Sequence, residues 1–264
     1  MKKISVLRAM GVAAITMVAA VAQAAALMPN FADVPTGWAT DRYAPASFSN
    51  VGTYQGRDNV LGIGITSAGD SANRGGLSAS FYNTQGKQHA VSGGVGSSIA
   101  AALYINGSWS SNTKGYVRSD MWGVVSNNVE GILGWPILGF TNQGGTGLLR
   151  LWTNSGWTNL ITPVAYDAWT SFQIDLTSTA IDYYVNGIEV YSDASIYSGT
   201  TPGAITQFSS VIMQAYNFAD PALFPRVQTV DYVAHWSNVP EPASLALAGI
   251  ALVGLFASRR RKSA

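Results

Sequence analysis

The sequence predicts an all-β domain of short antiparallel strands, a sandwich or a barrel. Apolar and polar residues alternate with period two in several runs, an Asn-Gly pair joins two of those runs, and Gly, Asn, Ser and Pro punctuate the gaps. Residues 25–238 show no convincing amphipathic helical spacing, and many short strands in about 200 residues make a sandwich or barrel.

A strand is expected over 116–125 and another over 148–152, with Asn127-Asn128 after the first and Gly144-Gly145 before the second. Phe172, Ile174 and Leu176 then alternate with Ser171, Gln173 and Asp175. Ile181, Tyr183 and Val185 alternate with Asp182, Tyr184 and Asn186, and Ile188 and Val190 alternate with Glu189 and Tyr191. Asn186-Gly187 between the last two runs signals a hairpin, because a type I′ turn needs positive φ at both central residues. Further strands are expected over 211–215 and 227–236, with turns at Gly93-Gly94 and over 198–202.

The two ends read as addresses. Residues 1–24 place Lys2, Lys3 and Arg8 before an uncharged stretch and close on Ala22-Gln23-Ala24. This is the order of a secretory signal peptide, with cleavage expected after Ala24, although Ala25 or Ala26 would also serve. It implies passage through the inner membrane by the secretion translocon. Over 239–264, Val239-Pro240-Glu241-Pro242-Ala243-Ser244 precedes an apolar run, 245–257, and then Arg259, Arg260, Arg261 and Lys262. As a helix, residues 243–257 span about 22 Å, short of a hydrocarbon core of about 30 Å and suited to a transient stay. The basic cluster holds the extreme C-terminus on the cytoplasmic side.

The tail V-P-E-P-A-S-x-A-L-x-G-I-A-L-x-G-L followed by R-R-R-K resembles the PEP-CTERM sorting signal of Gram-negative bacteria. By that resemblance, Pro240, Glu241 and Pro242 are the recognition tripeptide of exosortase, a membrane protease that removes the tail. Residues 245–257 form the transmembrane sorting helix, and Arg259, Arg260 and Arg261 with Lys262 stop transfer. The implied destination is the cell surface or the exopolysaccharide matrix. Nothing in the tail speaks of what the exported domain does.

With both ends set aside, one domain remains, 25–238. Of 15 bases and 14 acids, the leader holds three bases and the tail four bases and Glu241, so eight bases and thirteen acids stay, near −5. That disfavours polyanionic partners, and no nucleic-acid partner is expected. With no cysteine in the chain, a disulfide scaffold and a thiol nucleophile are excluded.

Trp169 to Ile174, a short gap and then Ile181-Asp182-Tyr183-Tyr184-Val185-Asn186-Gly187 resemble the concanavalin A-like lectin and glucanase jelly rolls. The resemblance implies an antiparallel β-sandwich in which residues 38–48 are the opening strand and 230–236 the closing strand that returns beside it. Glucanase-type hydrolases of that superfamily show a Glu-x-Asp-x-Glu row, one acid attacking and another protonating the leaving oxygen. The domain holds two glutamates, Glu130 and Glu189, with no acid two residues from either. We therefore read it as a non-catalytic structural or glycan-binding sandwich. The alternative is a polysaccharide hydrolase or lyase using a dispersed acid pair such as Asp120 with Glu130.

Gly69-Asp70-Ser71 with Asp231 and His235 could be imagined as an esterase triad, but reads better as a polar turn over 67–76 and an unrelated strand. His89 and His235 are the two histidines, too few for a histidine-based metal cluster and expected as hydrogen-bonded loop or strand residues. No cofactor is expected beyond a structural calcium, for which Asn217, Asp220 or Asp193 could supply oxygens. Trp135, Trp152, Trp157 and Trp169 fall close together among Asn142, Gln143, Asn154 and Asn159. Sugar rings stack on flat aromatics while amides bond their hydroxyls, so the mixture suits an uncharged glycan, with Trp135, Trp152 and Trp157 as the candidate platforms, and Trp169 and Trp236 are expected in the core.

Overall fold

The computed structural model describes residues 25–66, 83–153, 155–194, 205–218 and 229–239. The expected signal peptide, the tail from Pro240 onward and the turns expected over 67–76 and 198–202 lie outside these. In chain order the strands are β1 (Ala25–Ala26), β2 (Trp38–Thr40), β3 (Ser47–Asn50), β4 (Leu61–Ile65), β5 (Gln85–Gly94), β6 (Ser97–Ile105), β7 (Arg118–Asn127) and β8 (Gly131–Gly134). They continue as β9 (Ile137–Thr141), β10 (Leu148–Thr153), β11 (Gly156–Asn159), β12 (Ala168–Leu176), β13 (Ile181–Val185), β14 (Ile188–Asp193), β15 (Gln207–Tyr216) and β16 (Tyr232–Asn238). The helices among the described residues are three single 3₁₀ turns, and none is long and apolar enough to cross a membrane.

The strands form two sheets. The first runs β14-β13-β12-β6-β16-β4-β3, with β1 added on β6, and the second runs β11-β10-β9-β7-β15-β5-β2, with β8 on β7. Every pairing is antiparallel except that of β1 with β6. Between the sheets lies one apolar core, because the period-two alternation sends one side of each strand inward. Ile99, Leu103, Phe172, Ile174 and Trp236 of the first sheet meet Met121, Val125, Leu138, Phe140, Leu151 and Val211 of the second. The hairpin between β13 and β14 turns on Asn186 at φ 51° and Gly187 at φ 77°, the double positive φ that the sequence signal required.

Three expectations are corrected. The opening segment 38–48 is not one strand: Trp38–Thr40 pairs with β5 in the second sheet and Ser47–Asn50 with β4 in the first, and the chain crosses between sheets over 41–46 around Pro45. The closing strand accordingly lies between β4 and β6, not beside β2 or β3. Gly93-Gly94 ends β5, and the turn falls one step later on Val95 and Gly96, the latter at φ +90°.

β16 ties the two sheets together. The Tyr232 hydroxyl crosses the core to donate to the Arg118 carbonyl at 2.6 Å and to accept from the Tyr216 N–H at 2.9 Å. Burial holds that phenol well above its usual pKa. Trp236, fully buried, donates its Nε1–H to Ser119 Oγ at 2.9 Å. At its end, Asn238 accepts the Phe31 N–H through Oδ1 and donates Nδ2–H to the Pro29 carbonyl, both at 2.9 Å.

Candidate functional site

The outward face of the second sheet carries the polar and aromatic residues of interest. Register partners on antiparallel strands share a face. One row across the sheet therefore reads Gln88, Ile212, Trp122, Ile137, Trp152, Trp157, and the next reads Gly86, Gln214, Asp120, Gly139, Arg150, Asn159. Arg118, two residues before Asp120 on β7, points to the same side.

Arg118 Nε donates to Asp120 Oδ2 at 2.5 Å. Two cations lie against one indole: the guanidinium carbons of Arg150 and Arg118 sit 3.8 and 4.8 Å from the Trp157 ring centre. Arg118, Asp120 and Arg150 are 2%, 0% and 7% exposed. Arg118 Nη2, Arg150 Nε and Asp120 Oδ1 are buried without a hydrogen-bond partner. Burial, and then the charge of Arg118, push the Arg150 guanidinium down to about 9, with Asp120 opposing.

Gly139 stands between Asp120 and Arg150 in the row. A Cβ there would lie 2.4 Å from both Asp120 Oδ1 and the Ser119 carbonyl. Gly139→Ala is therefore expected to destabilise the domain by about 1–3 kcal/mol, because a main-chain oxygen cannot swing away as a side chain can. A chemical melt of the variant that overlays the parent's would refute this.

Further along the face, Gln214 Nε2 donates to Asp41 Oδ2 at 2.7 Å, and Thr84 Oγ1 donates to Gln214 Oε1. Arg42 pairs with Asp41 at 2.8 Å and lies 4.7 Å over the Trp122 ring. Burial raises the Asp41 pKa against the pull of Arg42.

Of the expected glycan platforms, Trp152 and Trp157 come together edge to face, ring centres 5.2 Å apart, and both are half-buried. Trp135 is 41% exposed and belongs to neither row. Trp236 is core, as expected. Trp169 is not: the inward places on β12 go to Thr170, Phe172, Ile174 and Leu176, which sends Trp169 to the outer side of the first sheet. There it donates Nε1–H to the Gln55 carbonyl at 3.0 Å and carries Arg57 over its ring.

Tyr54 and Tyr104, whose rings meet Trp169, also line a cleft of about 390 Å³ together with Trp109, Lys114, Asp231 and His235 among others. Tyr54 stacks on His235 at 3.7 Å and 6°. His89 Nδ1 lies 2.7 Å from the Ala90 carbonyl, the hydrogen-bonded strand histidine that was expected.

The postulated acid pair is not assembled. Asp120 lies within β7 and Glu130 beyond its far end, roughly 20 Å away at 3.4 Å per residue, and Glu130 accepts from Asn127 Nδ2. The row on β7 that faces outward is Arg118, Asp120, Trp122, so the central acid is flanked by a base and an indole. Asp231 and His235 are four residues apart on one extended segment, roughly 13 Å, too far for a hydrogen bond, while Asp70 and Ser71 lie outside the described residues. Asn217 donates to the Val230 carbonyl beyond the end of β15, Asp193 ends β14 in the other sheet, and Asp220 is not described. Among the described residues no three His, Asp or Glu gather as metal ligands would.

β16 ends at Asn238, and the residues that follow match a model of the PEP-CTERM protein-sorting motif over 238–262. The chain carries a PEP-CTERM sorting motif. That motif implies export, sorting to the cell surface and processing by exosortase, as the tail resemblance anticipated. Its residues Pro240, Glu241, Pro242, Arg259, Arg260 and Arg261 lie outside the described residues.

No curated protein matches this sequence. Among solved structures it is similar to a β-glucanase of Bacillus licheniformis, with 14% identity over 78% of this chain and 94% of that one at a TM-score of 0.43. A β-1,3-1,4-glucanase (lichenase) derived from a mouse hindgut metagenome matches at 14% over 80% and 98%, TM-score 0.42. The Crh5 transglycosylase matches at 15% over 82% and 90%, TM-score 0.39.

Proposed function

We propose that this PEP-CTERM protein is a non-catalytic component of the cell surface or exopolysaccharide matrix that binds an acidic polysaccharide on the outward face of the second sheet. The observation that carries this reading is the meeting of half-buried Trp152 and Trp157 with Arg150 and Arg118, whose buried Nε and Nη2 lack acceptors. Indole edges and faces suit the apolar side of a sugar ring, and guanidinium forks suit a carboxylate. The net charge near −5 argues against a polyanion over the domain as a whole, but two arginines against one aspartate make this one spot locally positive, which favours an acidic sugar here over an uncharged one. A sugar carboxylate seated beside Trp157 would add the second counter-charge that two arginines and one aspartate lack, easing the Arg118 repulsion that adds to burial in depressing Arg150.

Passing the domain over host exopolysaccharide is expected to give retention without new reducing ends. Arg150→Met is expected to lower that retention about tenfold, the worth of one charge-assisted hydrogen bond, and raised salt to weaken it in parallel. Undiminished retention by Arg150→Met withdraws the arginine.

A second reading, a hydrolase or lyase, has one observation in its favour: Asp41 is hydrogen-bonded to Gln214, the register partner of Asp120, so two carboxylates share one neighbourhood. New reducing ends, lost in Asp41→Asn, would replace the binding reading with this one.

A further inference from the structure

We propose that removal of the signal peptide and removal of the sorting tail are coupled, the first preparing the second, through β1 and Asn238; this rests on the sorting reading above. Ala25 and Ala26, the first residues left by cleavage after Ala24, are strand β1 and pair with Ser97 and Ser98 of β6. The Leu27 N–H continues the contact, donating to the Ser98 carbonyl at 2.8 Å. A protease cleft takes the peptide extended on both sides of the scissile bond, and residues engaged in a sheet ladder cannot lie in it at the same time. β1 therefore cannot stay docked while the signal peptide is being cut, and is free to remain docked once the cut is made.

The docked strand bears directly on the other end of the chain. β12 pairs with β6 along its whole length, Ser97 to Ile105, so β1 and β16 share the opposite edge. On that edge β16 ends with Asn238 opposite Ala101. Continuing its antiparallel register would set residues 239–242, the recognition tripeptide included, opposite Ala100, Ile99, Ser98 and Ser97. β1 already occupies the last two of these places. An uncovered edge recruits any neighbouring extended segment through its main-chain groups. β1 removes that alternative for the tripeptide, and the Asn238 carboxamide fastens the arrangement by holding Phe31 N–H and the Pro29 carbonyl. Asn238 is thus a positioning residue for the protease that acts on the motif beginning there.

The experiment follows tail removal by pulse-chase in an exporting host, using the full precursor, Asn238→Ala, a chain lacking Ala25 and Ala26 with residues 1–24 kept, and the two changes combined. Asn238→Ala and the deletion are each expected to slow tail removal about fivefold or more, the effect of losing a hydrogen bond or two, and the combination no further than either alone. The domain's resistance to added protease is expected to stay at the parent level, which separates positioning from unfolding. Tail removal at the parent rate in the deletion chain, whose core is untouched, overturns the coupling, and so does independent, multiplying slowing. A parent precursor that keeps its tail overturns the sorting reading together with the coupling.

Discussion

Replacing Asp120 with alanine is expected to lower the stability of the domain by about 3–5 kcal/mol, the range for stripping one partner from a buried ion pair. In a domain of this size that is a fall in melting temperature on the order of 10 °C. Asp120 is the acceptor for Arg118 Nε, and both side chains are shut away from water. Its removal leaves Arg118 and Arg150 facing each other without a counter-charge, and Arg150 loses the one group that holds its pKa up. The reverse change is milder: Arg118→Met leaves Asp120 beside Arg150, so a cation still answers the carboxylate. Arg118→Met with Asp120→Leu is expected to sit nearer the parent than Asp120→Ala does, because no charge is then left unanswered. Thermal melts of the three variants test the order, and an Asp120→Ala domain as stable as the parent would show that the pair contributes nothing.

Glu241→Ala is expected to slow tail removal roughly 10- to 100-fold, the kinetic worth of a charge-assisted hydrogen bond, and to leave a tailed, membrane-retained form. Glu241 is the sole acid after Asp231. Pro240 and Pro242 fix their own φ, and each also restricts the residue before it to extended conformations, Val239 and Glu241. From the sequence alone, proline on both sides favours an extended backbone at Glu241, so little ordering is expected to be needed when a protease takes it up. Glu241→Gln keeps the length and loses the charge, so comparing the two variants separates recognition of charge from recognition of shape. Release of Glu241→Ala at the parent rate would remove Glu241 from the recognition site.

What could be read from the chain was whatever local chemistry alone decides. Asn186-Gly187 is legible because no distant contact is needed to favour positive φ at two successive residues, and β12 and β13 because each buries one face and wets the other. The split of 38–48 was hidden, since nothing in Trp38 to Phe48 says that its two halves pair with different partners. β4 and β6 were equally quiet: their outward places hold Gly62, Gly64, Ala100 and Ala102, which give no polar half to the alternation. The cluster on the second sheet was missed for the opposite reason. Arg118, Asp120 and Arg150 fall at places where alternation expects solvent, and only the fold brings them together as buried charges with indoles between. An arginine two residues from an aspartate inside an apolar run was the signal that could have marked them.

The seating of β16 also governs how the protein meets a mechanical load. Until the tail is cut, any traction on it enters the domain through Asn238 and runs along the strand. β16 lies inside its sheet, between β4 and β6, and antiparallel ladder bonds stand perpendicular to the strand. A pull along its axis loads both ladders in shear, with Tyr232 and Trp236 as cross-pins into the opposite sheet, so the bonds must fail together and not one after another. A pull on the tail therefore meets more resistance than it would on an edge strand, whose bonds could be peeled one at a time.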